Sequence, residues 1–172
     1  GRFSIYKSNF KNFSEALEDA GIDKLNGVIL DFGVSSFQLD EVSRGFSYMK
    51  DAPLDMRMDG QSPFSAKDVI NGYSERALEE VIRKYGEEKF SARIAQNIVK
   101  RREQKEFETT GELAEIVEKS IPAKFRQNGP CARKTFQAIR IEVNGELDGL
   151  AQAVKGLTLR LDKGGRICVL TF

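Results

Sequence analysis

The spacing of apolar and polar positions divides the chain into strand-like ends and a helical middle. Arg2 to Asn9 alternates, with Phe3, Ile5 and Tyr6 apolar, which predicts a first strand ending near Asn9-Phe10. Asn12, with Glu15 at the capping-box position, predicts a helix that carries Phe13, Leu17 and Ala20 and ends at Gly21. Val28-Ile29-Leu30 is a short apolar run bounded by Gly27 and Gly33, the pattern of a strand buried on both faces in a parallel sheet. Strand, helix and strand in succession are the α/β signature, with a right-handed crossover.

From Ser65 the period becomes helical. Ser65 to Asp68 reads as a capping box on a short helix that stops at Asn71-Gly72, and Ser74 opens a second helix with Leu78, Val81, Ile82 and Tyr85 on one face and Gly86 past its end. A third helix is predicted from about Glu88 to Arg102, with Phe90, Ile94, Ile98 and Val99 facing inward. Thr109-Thr110-Gly111-Glu112 is a capping box before Leu113, Ile116 and Val117, and Pro122 closes that helix. Phe136, Ile139, Val143, Leu147, Leu150, Val154 and Leu157 predict one long helix from about Thr135 to Leu161, weakened by Gly145, Gly149 and Gly156. Asp162 to Arg166 predicts a tight turn, and Ile167 to Phe172 another buried strand. The expected organisation is therefore an α/β part made of residues 1–39 and 135–172, with a helical insertion over 40–134. A covered parallel sheet usually has about five or six strands, so the pattern reads as a portion of a larger domain.

Composition narrows the chemistry. The chain has 172 residues, 40% hydrophobic and 31% charged, enough apolar content for a core on a soluble chain. No apolar run approaches the length of a membrane span. There is no histidine, which excludes histidine triads, histidine general bases and His-containing zinc sites within these residues. Cys131 and Cys168 stand far apart in no metal-ligand spacing, and no secretory signal is visible, so reduced thiols in a cytoplasm and no metal are expected. A net charge of +1 leaves nucleic-acid binding to local clusters of cations.

The stretch Asp31-Phe32-Gly33-Val34-Ser35-Ser36-Phe37-Gln38-Leu39-Asp40 changes character at the end of the second strand. Ligands of open α/β sheets bind beyond the carboxyl ends of strands, so Asp31 is either a site carboxylate or a turn-forming residue. Arg44 to Gly60 keeps neither period and mixes Arg, Lys, aromatic residues and Met with Gly and Pro. Long irregular segments of compact proteins are commonly functional. Ala123 to Lys134 is a basic, Gly/Pro-containing loop.

Leu30-Asp31-Phe32-Gly33-Val34-Ser35-Ser36 with Gln38-Leu39-Asp40, Arg44-Gly45-Phe46-Ser47, Pro53-Leu54-Asp55-Met56-Arg57-Met58-Asp59, Tyr85-Gly86-Glu87-Glu88, and Thr135-Phe136-Gln137-Ala138-Ile139-Arg140-Ile141 with Val143-Asn144 are together specific. They resemble the bacterial 16S ribosomal RNA cytosine-N4 methyltransferase family over essentially the whole chain. The resemblance implies a partial class I methyltransferase, with a Rossmann-like sheet, an inserted all-helical substrate domain, S-adenosylmethionine as cofactor and 16S rRNA of the small ribosomal subunit as substrate. It departs from the family pattern at both ends. The glycine-rich loop and the acidic residue expected upstream are not matched before Phe3, and the polar loop after the final strand is not matched either. Poor cofactor affinity and no turnover are expected of these residues alone.

By the same resemblance Phe10, Asp31 and Gln38 correspond to cofactor contacts. Asp31 is also a candidate acceptor for the protons of the target amine, in competition with a purely cofactor-positioning role. The rival readings are core packing for Phe10 and a turn amide for Gln38. A target base splayed out of folded RNA makes Arg44, Phe46, Tyr48, Arg57 and Met58 candidates to line its path. Lys100, Arg101, Arg102, Arg126, Arg133, Lys134 and Arg140 are candidates for phosphate contact, against the reading of merely solvated charges. Arg133-Lys134 stands out because it precedes a helix start. The alternative function is a helical RNA-binding or ribosome-docking module without catalysis, and a homodimer through strand edges is a further reading of partners.

Overall fold

The computed structural model describes residues 3–35, 41–128 and 131–171. The chain forms two compact units, Gly1–Gly33 with Glu146–Phe172, and Val34–Gly145. The first is mixed α/β. Its strands β1 (Leu25–Asp31) and β2 (Leu161–Leu170) pair in parallel, with Val28 opposite Ile167 and Asp31 opposite Leu170. Helices α1 (Phe13–Asp19) and α7 (Leu150–Arg160) belong to the same unit.

Several expectations are corrected in this unit. Phe3 to Asn9 adopts no strand, and Phe3 and Ile5 are over four-fifths exposed. An alternating segment becomes a strand only when another strand supplies its hydrogen-bond partners. The first helical turn begins earlier than expected, as a 3-10 turn over Phe10–Asn12 in which the Asn9 side chain accepts from the Lys11 amide, whereas Asn12 makes no side-chain cap. β1 is not buried on both faces, since Ile29 is 76% exposed. The predicted turn at 162–166 is taken up inside β2: Leu161 pairs with Leu25 and Arg166 with Gly27, so residues 162–165 bulge opposite Asn26.

The predicted long helix is two helices, α6 (Arg133–Asn144) and α7. Gly145 and Gly149 both take left-handed φ values, +53° and +68°, which end one helix and precede the next. Gly156 plays a different part. A Cβ there would lie 2.7 Å from Cζ of Phe13, so its lack of a side chain lets α1 pack closely on α7. Because α6 packs against helices of the 34–145 unit, the expected boundary at 134/135 moves to 145/146.

The second unit is helical: α2 (Ala66–Gly72), α3 (Glu75–Gly86), α4 (Ser91–Arg102), α5 (Thr110–Ser120) and α6. Of the periodic residues read from the sequence, Leu78, Ile82, Ile94, Ile98, Leu113, Val117 and Ile139 are fully buried in its core, joined by Val69 and Ile70 of α2. Each such side chain contributes about 1.5–3 kcal/mol on burial. The capping boxes at Ser65/Asp68 and Thr109/Glu112 form, and the Ser74 hydroxyl accepts from the Ala77 amide at 3.2 Å. Gly86 does not follow α3 but ends it, and Glu87 takes the left-handed cap at φ +49°. The reason is packing: a Cβ on Gly86 would meet the Lys134 carbonyl oxygen at 2.5 Å, where α6 begins. Among the described residues no helix is long and apolar enough to cross a membrane.

Two outcomes test this packing. Gly86→Ala should lower the stability of the helical unit by about 1–3 kcal/mol, read as a drop in urea midpoint; an unchanged midpoint would contradict the close approach of α3 and α6. Glu112 accepts from the Glu108 amide and pairs with Lys105 and Arg101, which together hold its pKa at about 2 against 4.5. A carboxylate lowered in this way adds stability that is fully present above the unfolded value and is lost as pH falls through about 2. The stability gap between the parent and Glu112→Gln should therefore be widest above about pH 4.5 and close towards pH 2.

Candidate functional site

Asp31 ends β1, and the next amide, of Phe32, still donates to the Leu170 carbonyl at 3.1 Å. The ladder thus holds the backbone on both sides of Asp31 while its side chain is exposed. Phe10, half-buried at the start of the 3-10 turn, lies edge-on to Phe32, with ring centroids 5.4 Å apart and planes at 75°. The fold therefore brings Phe10 and Asp31, distant in sequence, to one locality within the α/β unit. An exposed carboxylate beside an aromatic pair can accept hydrogen bonds from hydroxyl or amine groups and offer a surface to a planar ring. Gln38 lies outside the described residues.

The irregular segment after Arg44 is not an open recognition loop. Phe46 is 8% exposed and belongs to the core, and Met56 is fully buried with φ +59°. A left-handed non-glycine residue carries a strain of roughly 1–2 kcal/mol, and the surroundings here hold it firmly. The Met56 amide donates to the Arg44 carbonyl at 3.0 Å. Asn144, at the end of α6, donates through Nδ2 to the Met56 and Arg140 carbonyls, both at 2.8 Å, and accepts from the Met58 amide at 2.6 Å. The Arg44 guanidinium donates to the Arg57 and Met58 carbonyls at 2.5 and 3.0 Å. Arg57 binds both oxygens of Asp55, at 2.9 and 2.7 Å, and reaches the Ser62 carbonyl at 2.6 Å. That bond holds the Asp55 carboxyl below its ordinary range.

Arg44, Phe46 and Arg57, expected to line a base path, are thus committed to internal contacts. A buried segment without helix or strand must find donors for its carbonyls, and guanidinium groups supply several at once. The same reason corrects two basic residues at the end of α4. Arg102 donates to the Ile70 and Tyr73 carbonyls, both at 2.6 Å, and Arg101 pairs with Glu112 and lies 4.3 Å from the Phe107 ring centroid. Neither is a merely solvated charge.

At the start of α6, Arg133 and Lys134 are exposed, and the Lys134 ammonium donates to the Glu87 carbonyl at 3.0 Å. Arg140 is half-buried further along the same helix. Elsewhere in the helical unit a cavity of about 240 Å³ is lined by Tyr73, Val81, Lys84, Tyr85 and Glu142, among others. The Tyr73 hydroxyl donates to Glu142 at 2.6 Å, and burial, reinforced by that bond, pushes the phenol up to about 12. None of the site residues expected from the sequence lines this cavity. Among the described residues no cluster of His, Cys, Asp or Glu could hold a metal ion.

Asn144 is the group that residue-level reading passed over. It sits inside the quoted Val143-Asn144 pair, but an amide near a helix end has many ordinary uses, and its Met56 and Met58 partners are more than eighty positions away. Asn144→Ala should destabilise the helical unit by about 2–4 kcal/mol. It should also speed hydrogen exchange at the Met58 amide; unchanged protection there would refute the clamp.

A family model described as the MraW methylase family matches residues 1–172. A protein named ribosomal RNA small subunit methyltransferase H from Clostridium botulinum (strain Loch Maree / Type A3) is 56% identical over 165 residues, covering 96% of this chain and 53% of the relative. Proteins of the same name from Finegoldia magna and Clostridioides difficile are 56% and 52% identical, covering 96% and 99% of this chain and 54% and 55% of their own lengths. The chain spans about half the length of the curated relatives it matches.

Proposed function

The chain belongs to the MraW methylase family, and from that premise we propose that it is part of an S-adenosylmethionine-dependent methyltransferase acting on the exocyclic N4 amine of a cytosine in 16S rRNA. The observation that carries this reading is the similarity, along nearly the whole chain, to relatives named for methylation of small-subunit ribosomal RNA. In this reading the α/β unit is part of a class I methyltransferase sheet, the 34–145 unit is the substrate-recognition insertion, and the enzyme works on the cytoplasmic ribosomal subunit.

The residues at the β1 end fit the cofactor. Phe10, braced by Phe32, offers an aromatic surface to an adenine, and the exposed Asp31 carboxylate is an acceptor for a hydroxyl or an amine. When bound, S-adenosylmethionine supplies the methyl group on a sulfonium. Asp31 has two roles open to it, anchoring the cofactor or accepting a hydrogen bond from the target amine, which leaves more electron density on the attacking nitrogen. In this reading the exposed Arg133 and Lys134 at the start of α6 face the RNA, with Arg140 further along the same helix, whereas Arg44, Phe46 and Arg57 are used inside the fold. The second reading, a docking module without catalysis, is favoured by one observation: the 34–145 unit has its own closed core.

The test is methyl transfer from S-adenosylmethionine to small subunits lacking the modification, using a polypeptide of the relatives' full length. N4-methylcytosine in the digested 16S rRNA is the expected product. RNA binding without cofactor binding would favour the docking module instead. With Asp31 acting on the target amine, Asp31→Asn in the same background keeps cofactor affinity in calorimetry within about threefold and lowers turnover by roughly a hundredfold or more; a matching loss of cofactor affinity assigns it to anchoring. Full activity of that variant would remove Asp31 from the chemistry.

A further inference from the structure

The helical unit carries a surface aromatic pair that the β1-end site does not use. Phe90 lies half-buried just before α4, its amide donating to the buried Glu88 carboxylate at 3.0 Å. Phe125 sits in a 3-10 turn over Ala123–Asn128 and is 52% exposed. The two ring centroids are 5.2 Å apart with planes tilted by 52°. The turn is fixed from below, because the Phe125 amide donates to the Pro122 carbonyl at 2.8 Å and Arg126 Nε donates to the Ile121 carbonyl at 2.7 Å. Phe125 is therefore an exposed ring on a braced turn.

Cations surround the pair. The Lys124 ammonium lies 5.0 Å from the Phe125 ring centroid, and Lys89, next to Phe90, is exposed. The Lys134 ammonium is held at the Glu87 carbonyl, just upstream of Phe90. Two acidic groups share this locality: Glu88, buried and turned to the Phe90 amide, and Glu87, exposed. A single exposed apolar residue needs no explanation. An exposed ring braced by a second ring and flanked by lysines is the arrangement by which proteins hold unpaired nucleotides, with the π-face taking a base and the cations tracking the backbone.

We propose that Phe125, braced by Phe90, is a stacking platform for an unpaired base of single-stranded RNA, with Lys124 and Lys89 taking the adjoining phosphates. This deepens the RNA-substrate reading and rests on it. An incoming base displaces the Lys124 ammonium from the ring. That exchange is favourable, since an exposed cation–π contact is weaker than a base–aromatic stack, and the released ammonium meets a phosphate. The platform is insensitive to sequence, so it holds strand flanking the target and selects nothing.

The 172 residues contain no tryptophan, which leaves 2-aminopurine as a clean reporter of stacking. The full chain is titrated with a short unpaired RNA carrying 2-aminopurine, at several salt concentrations. The parent should quench the reporter, and Phe125→Tyr, which keeps a π-face, should do the same. Phe125→Ala should lose the quenching and bind about tenfold more weakly with an unchanged salt slope. Lys124→Ala should reduce the slope of log K against log salt by about 0.7. If the parent binds RNA and Phe125→Ala matches it in affinity and quenching, the platform is overturned while the RNA-substrate reading stands. Loss of quenching in Phe125→Tyr as complete as in the alanine variant also overturns the platform. If the parent binds no RNA even at low salt, the platform is overturned, while the RNA-substrate reading is decided separately by methyl transfer with the full-length polypeptide.

Discussion

The helical unit depends on one constraint: residues 54–58 bury Leu54 and Met56 without belonging to a helix, so the backbone amides and carbonyls there must be paired by something else. Asn144, at the end of α6, pairs two of these groups, the Met56 carbonyl and the Met58 amide, and ties them to Arg140. Arg44 adds two donors, and the Leu54 and Asp55 carbonyls receive the Lys67 and Ala66 amides at the start of α2. Removing one partner would leave a buried polar group unsatisfied, which costs more than the bond itself contributes. This is why Met56 can be held in a left-handed conformation, and why so polar a segment can lie inside a core.

That constraint also sets how charge is used. Of the cations in the irregular segment and at the end of α4, Arg44, Arg57, Arg101 and Arg102 are all spent on carbonyls or carboxylates within the fold. Lys50 and Lys100 of the same stretches are exposed, as are cations at the start of α6 and in the 3-10 turn at 123–128. With a net charge of +1, attraction to a polyanion has to come from such local patches, and it weakens with salt. Glycine positions serve the same economy of space: Gly45 lies where a Cβ would stand 2.3 Å from the Pro53 carbonyl oxygen, so the turn can close against the buried segment.

The α/β unit rests on a different principle. Its parallel pair aligns Asp31 with Leu170, and the Phe32 amide carries the ladder one step further. An acidic side chain fixed at the carboxyl edge of a parallel strand is where this class of fold binds ligands. Phe10 joins it only because the chain turns at Phe10–Asn12 and sets its ring against Phe32. Ile29, Val169 and Leu170 leave much of this short sheet exposed.

Elements whose signals are local could be read from the residues alone. The capping boxes at Ser65 and Thr109 need only residues a turn apart, and the helical spacing of Leu78, Ile82, Ile94 and Ile98 needs only the 3.6-residue period. Asp31 was likewise legible as a strand-end acid, and the motifs made the family legible. Tertiary structure alone decided the rest. Whether Phe3 to Asn9 is a strand depends on a neighbour to pair with, not on its alternation. Whether 133–160 is one helix or two depends on Gly145 and Gly149 taking left-handed φ. Whether Arg102 meets RNA or the Ile70 carbonyl, and whether Asn144 is a surface amide or the clamp on the Met56–Met58 backbone, depends on groups that only folding brings within 3 Å. Hydrogen bonds act over that distance in space, and periodicity along the chain carries no record of them.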